Sequence, residues 1–135
     1  MTERAGAVLL DCEGLSLALR QQTRQVGQIL EAARRARVPV VVSALTVVEA
    51  AHGRFDIRRL DWALSGMTVE GVEPDDAKVA VRLLRDAGNP SGHEHATDAL
   101  VAALALRLPR RVLVLTSDPT DWRRLAGDQV DILRL

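Results

Sequence analysis

Aromatic side chains are scarce in this chain: there is no tyrosine, one phenylalanine and two tryptophans. Recognition of nucleic acid on a platform of stacked rings is therefore not expected. Cysteine is nearly absent too. Cys12 stands alone, which excludes an intramolecular disulfide and fits a reducing cytosol. Lys78 is the only lysine, so the positive charge rests on arginine, whose planar fork suits carboxylate or phosphate. No charge of either sign is in excess, with 18 basic and 18 acidic residues. An overall basic footprint for nucleic acid is excluded, and any RNA binding must use local arginine patches, helped by metal ions. No apolar run is long enough to cross a bilayer. The opening Met-Thr-Glu-Arg, followed by a short apolar run, is unlike a signal peptide, and the expected location is the cytoplasm.

What is present suits one folded domain spanning residues 1–135. Hydrophobic residues make up 47% and charged residues 27%, an ordinary globular balance. Apolar runs alternate with amphipathic stretches, which predicts an α/β fold. Strands are expected over 6–10, 38–42, 67–72, 111–116 and 129–134. The first and fourth are continuous apolar runs that suit central strands covered on both faces. Helices are expected over 23–37 (with Thr23 as N-cap), 45–52, 56–65, from Pro74 to about Ala87, 94–107 and about 119–126. Pro74, Asp75 and Asp76 favour a helix start. Residues 88–92 have loop composition. The helix over 94–107 is apolar almost all round and is expected to be buried.

In a parallel α/β sheet, chemistry gathers beyond the carboxyl ends of the strands. Asp11 follows the first strand directly. Asp118 follows the fourth, with Asp121 one helical turn on. Glu49 lies in the helix after the second strand, and Asp98 lies among Ala99, Leu100, Val101, Ala102 and Ala103. A carboxylate buried there costs several kcal/mol, about the penalty of an unpaired ion. An arginine, backbone donors or a divalent cation must offset it. Clustered hard oxygen ligands favour Mg²⁺ or Mn²⁺ over zinc. Such an ion would support metal-assisted phosphodiester hydrolysis. The plainer alternatives stay open on these grounds: Asp118 as an N-cap, Asp121 as a first-turn charge, Glu49 as an exposed helix residue.

Four segments resemble the motifs of the PIN-domain family. Ala-Val-Leu-Leu-Asp11 resembles its first strand and acid. Val42 to Glu49 (Val-Ser-Ala-Leu-Thr-Val-Val-Glu) resembles its second motif. Asp98 to Ala105 (Asp-Ala-Leu-Val-Ala-Ala-Leu-Ala) is similar to the third. Val114 to Trp122 (Val-Leu-Thr-Ser-Asp-Pro-Thr-Asp-Trp) is similar to the fourth, a Thr, an Asp, then an Asp before an aromatic. The resemblance covers nearly the whole chain and reaches the VapC-type toxins of type II toxin–antitoxin pairs. It implies a Rossmann-like three-layer sandwich around a parallel sheet, Mg²⁺ or Mn²⁺ at the acids, and endoribonuclease activity on structured tRNA or rRNA. It also implies a homodimer and a cognate antitoxin that blocks the site. By position, Asp11 and Asp98 would be metal ligands. Glu49 would complete the site, Asp118 would hold metal or orient water, and Asp121 would support it. Thr116 or Ser117 would hydrogen-bond an acid or a phosphate. One place departs from the family: Glu13 stands where a small hydroxyl or amide residue is common.

Arg54 and Arg58, with Arg59, follow Glu49 and are candidates for holding RNA phosphates; a solvated helix face is the competing reading. Arg123 and Arg124 are weaker candidates, and Arg34, Arg35 and Arg37 suit the end of a helix. Cys12, His52, His93 and His95 match no zinc spacing. His95 is expected to be an exposed first-turn residue, and Trp62 and Trp122 to be packing or interface residues. Two other functions compete. One is a PIN-like domain that binds RNA or protein without cutting. The other is a phosphoryl-accepting receiver-like domain, which needs a lysine after a late strand, whereas Lys78 falls inside a helix.

Overall fold

The computed structural model describes residues 5–20, 24–51, 56–88 and 92–135. Thr23 and residues 89–91 of the expected loop lie outside them. Five strands form one sheet in which every pairing is parallel: β1 (Ala7–Leu10), β2 (Val40–Ser43), β3 (Thr68–Glu70), β4 (Val112–Thr116) and β5 (Asp131–Arg134), in the order β3-β2-β1-β4-β5. The α/β class and the central parallel sheet expected from the sequence are the architecture observed.

Seven helices are described: α1 (Cys12–Arg20), α2 (Arg24–Arg35), α3 (Ala44–Ala50), α4 (Ile57–Leu64), α5 (Pro74–Asp86), α6 (Gly92–Arg107) and α7 (Pro119–Ala126). They form the two outer layers, and the strand pleat decides which apolar residue meets which layer. Leu9, Val41, Val112 and Val114 pack with Val101, Leu104 and Ala105 of α6 and with Trp122 and Ala126 of α7. Their neighbours Val8, Leu10, Val40, Val42, Leu113 and Leu115 face the other way. They pack with Leu15 and Leu19 of α1, Ala33 of α2 and Ala50 of α3. Every residue of β1, β2 and β4 is buried, which is why those segments read as unbroken apolar runs. β3 is an edge strand, and its middle residue, Val69, is exposed.

Helix α1 has no counterpart in the sequence reading. Gly14 sits in its first turn and weakens the local signal. That glycine has a packing purpose: a Cβ there would lie 3.1 Å from the Leu115 carbonyl oxygen and 3.4 Å from Leu10 Cδ2. A larger residue would press on the end of β4 and require its neighbours to give by a few tenths of an ångström. The same Leu115 carbonyl accepts the Asp11 N–H at 3.1 Å. A tight turn therefore joins β1 to α1 at the carboxyl edge of the sheet, beside its neighbour β4.

One ion pair ties the elements of the second layer. Asp76 is buried near the start of α5. Its carboxylate accepts from Arg107 Nε of α6 at 3.0 Å and from the Glu73 N–H at 2.9 Å. Arg107 also donates to the Gly71 carbonyl at 3.2 Å. The first-turn acids of α5 thus do more than favour the helix dipole. Lys78 lies inside the same helix, not in a segment that directly follows a late strand, and stands 3.9 Å from Asp75. That placement removes the receiver-like reading. No described helix is long and apolar enough to cross a membrane.

Candidate metal centre

The strand order reverses direction along the chain between β1 and β4, and the carboxyl ends of those two strands form the expected crevice. Asp11 enters it from the end of β1 with its orientation fixed. Oδ1 accepts the Cys12 N–H at 2.9 Å. Oδ2 accepts the Thr116 hydroxyl at 2.9 Å and the Trp122 indole N–H at 3.0 Å. Three donors leave a carboxylate with unused lone-pair capacity. Thr116 Oγ1 accepts the Asp118 N–H at 2.9 Å, so one hydroxyl links the first acid to the loop that carries the fourth. Asp118 caps α7, its Oδ1 accepting the Asp121 N–H at 3.2 Å.

Asp11, Asp98, Asp118 and Asp121 line one cleft of about 40 Å³, walled by Val101, Trp122 and Leu125. A water needs roughly 10–15 Å³, so the space suits an ion and a few waters. Glu49 stands near enough that the charges of Asp98 and Asp11, after its own burial, push its carboxyl upward. Burial comes first for Asp98 also, followed by repulsion from Asp11, Asp121 and Asp118, with His95 opposing; its carboxyl is raised. Asp121 is raised by burial and by Asp118, against Arg124 and His95. Five carboxylates from β1, α3, α6 and the β4–α7 junction therefore share one field.

Cations do little to relieve it among the described residues. Arg124 stands 3.7 Å from Asp121 and His95 stands 3.8 Å from Asp98. The donor set fits a divalent ion on its chemistry: hard oxygens from Asp11, Asp98, Asp118 and Asp121 crowded in one cleft, with Arg124 and His95 as the cations that stand within 4 Å of them among the described residues.

Several sequence-based expectations need correction. Asp98 is not a buried lone carboxylate; its side chain is 48% exposed, because the apolar face of α6 begins at Ala99 and Asp98 stands at the rim. His95 is not a fully exposed first-turn residue but sits three quarters buried at the edge of the cluster. For Thr116 the expectation of a hydrogen bond to an acid is met: it is buried, its hydroxyl donates to Asp11, and it accepts the Asp118 N–H. Ser117 is exposed beside it. Arg58 is exposed on α4 and makes no ion pair with the acids among the described residues. Arg54 and His52 lie outside the described residues. Glu13 is exposed and does not line the cleft. Burial, then Glu49, Asp11, Glu13 and Asp98, push the Cys12 thiol up, which disfavours the thiolate a zinc site would need.

Trp122 is the site residue the sequence reading missed. It packs in the core, as expected of it, and also donates to Asp11. A buried indole N–H needs an acceptor, and that need was the available signal.

A wider groove of about 710 Å³ opens elsewhere, between Leu17, Leu30, Arg34, Val38, Trp62 and Met67. None of the five acids lines it.

No family model matches the chain, and no curated protein matches it. Among solved structures, a chain in the crystal structure of VapBC2 from Rickettsia felis bound to a DNA fragment from their promoter matches with a TM-score of 0.74. The match covers 96% of this chain and 98% of that one, at 14% identity. The PIN-like three-layer fold expected from the sequence is thus the fold observed. At that identity the likeness carries the fold.

Proposed function

We propose that this chain is a metal-dependent endoribonuclease acting as the toxin of a toxin–antitoxin pair. It would cut structured RNA, tRNA or rRNA, by phosphodiester hydrolysis. The observation that carries the reading is the meeting of Asp11, Asp98, Asp118 and Asp121 in one small cleft, with Glu49 in their field, at the strand ends. The fold likeness to a chain of a VapBC complex supports it.

Asp11 and Asp98, which line the same cleft from separate elements, would hold Mg²⁺ or Mn²⁺. When bound, the ion supplies charge stabilisation and a more acidic water. Thr116, Trp122 and the Cys12 N–H hold the Asp11 carboxylate so that its geometry is set before substrate arrives. Asp118 and Asp121, fixed by the first turn of α7, would close the cleft and orient water. Glu49, whose carboxyl is raised by burial and by the charges of Asp98 and Asp11, would take up a proton from an attacking water. That water forms a bond to phosphorus, the bond to the leaving ribose oxygen breaks, and that oxygen takes a proton from solvent to leave as a hydroxyl. Arg58, Arg54 and Ser117 remain candidates for holding RNA from outside the cleft. An antitoxin, a second copy of the chain and a cytoplasmic location belong to the same proposal.

The test uses purified protein and structured RNAs with added Mg²⁺ or Mn²⁺. Cleavage should appear, and EDTA should stop it. Asp98→Asn should lower the rate by about two to three orders of magnitude, the equivalent of several kcal/mol of charge stabilisation. Equal cutting by the variant would overturn the site assignment. RNA binding without any cutting would favour the non-catalytic reading. Expression in bacteria should arrest growth, relieved by a small protein encoded beside it; unimpeded growth counts against the toxin role alone.

A further inference from the structure

Beside Asp121 the acidic cleft adjoins a shallow recess. Its walls are Ala87, His95, Asp121, Arg124 and Leu125, and it shares Asp121 and Leu125 with the cleft. His95 and Asp98 lie three apart on α6 and so share a face. Asp121 meets them from the first turn of α7. Each of the three offers one ligand atom, and these atoms all lie within 4.8 Å of one another. Ligands held about 2.1 Å from an ion stand roughly 3–4 Å apart, so modest side-chain rotations close the set.

Resting on the metal-dependent reading, we propose that His95 supplies a nitrogen ligand to an ion shared with Asp98 and Asp121, so that this end of the cleft prefers a first-row transition ion over Mg²⁺. Imidazole is a borderline donor that suits transition ions, whereas Mg²⁺ prefers oxygen and keeps its waters. The simpler role for His95 is an ion pair with Asp98. Yet Nδ1 stands 3.8 Å from Asp98 Oδ2, beyond hydrogen-bond reach, so the ring is not committed to that carboxylate. On the other side, Nε2 stands 3.9 Å from Glu94 Oε2. That contact too is beyond hydrogen-bond reach, so neither carboxylate holds the imidazole. Arg124, 3.7 Å from Asp121, is the competing cation; its side chain is about half exposed and can withdraw to solvent.

Mn²⁺ serves as the probe, added to the full chain and read by pulsed electron paramagnetic resonance. The expected result is a nitrogen hyperfine coupling that is lost in His95→Gln and kept in His52→Gln and His93→Gln. In competition, His95→Gln should weaken Mn²⁺ relative to Mg²⁺ by roughly ten-fold or more. Bound Mn²⁺ without nitrogen coupling overturns the assignment and leaves the carboxylate site standing. So does coupling that survives His95→Gln or vanishes in either control variant. No binding of Mn²⁺ at all overturns both this inference and the metal-dependent reading.

Discussion

The Asp11 carboxylate meets three donors drawn from the start of α1, the end of β4 and the second turn of α7. Trp122→Phe removes one of them while keeping most of the ring. We expect a loss of about 1 kcal/mol in stability, the net value of one hydrogen bond, measured by urea denaturation. Cleavage should fall by a larger factor than that loss alone explains, because Asp11 would lose its fixed orientation. Asp98 gives a second test at this scale. Its folded-state carboxyl is raised, as are those of Glu49 and Asp121. Such groups contribute stability that is complete below the unfolded carboxylate range and is lost as pH rises through the folded value. The metal-free protein is therefore strained by these charges at neutral pH. Asp98→Asn should stabilise it there, by up to about 1 kcal/mol once the exposure of the side chain is allowed for. The gain should disappear below roughly pH 4, where the carboxyls are protonated in both states. Added Mg²⁺ should raise the melting temperature of the parent and not of the variant. A variant less stable than the parent in EDTA at pH 7 would contradict this account.

Among the elements, α6 carries the heaviest load. Its apolar stretch from Ala99 to Ala105 fills the layer under β1, β2 and β4, its first turns present His95 and Asp98 to the cleft, and its last residue, Arg107, anchors α5. Arg107→Met would leave Asp76 buried with one backbone donor and no cation. A destabilisation of about 3 kcal/mol is expected, visible as a lower urea midpoint. The acids of the cleft should keep their metal affinity if the variant folds, since the pair sits at the other end of α6. Replacing both partners with apolar residues should restore much of the loss. At this scale the surprise is α1, whereas β3 falls within the strand expected over 67–72. Gly14 weakens α1 as a helix but lets it start against β4, and β3 pairs on one edge only and keeps Val69 exposed.

For the molecule as a whole, zero net charge sets the expectation for substrate binding. A chain whose basic and acidic residues balance gives weak overall electrostatic attraction for RNA. Binding of structured RNA by the Asp98→Asn variant should therefore depend only mildly on salt. If two or three arginines meet phosphates, the slope of log K against log salt is about −2. A much steeper slope would mean a basic surface larger than the composition suggests. The apolar groove beside Trp62, which is 67% exposed, lies on a separate part of the surface from the acids.

The amino-acid sequence by itself determined the alternation of buried strands and amphipathic helices, and with it a parallel sheet. Unbroken runs such as Val-Leu-Val-Leu in β4 have few other places to go. It also determined which acids fall just past strand ends, because a strand that stops at Asp11 or leads into Asp118 leaves those carboxylates at one edge. Tertiary structure alone decided what surrounds each acid. Packing α1 and α7 against the ends of β1 and β4 is what brings Thr116 and Trp122, more than a hundred residues along the chain, onto Asp11. The same packing stands Asp98 at a rim instead of in the core, and draws His95 beside it. Periodicity along a chain fixes the face on which a residue lies; the neighbours it meets there depend on contacts between segments that no local pattern encodes.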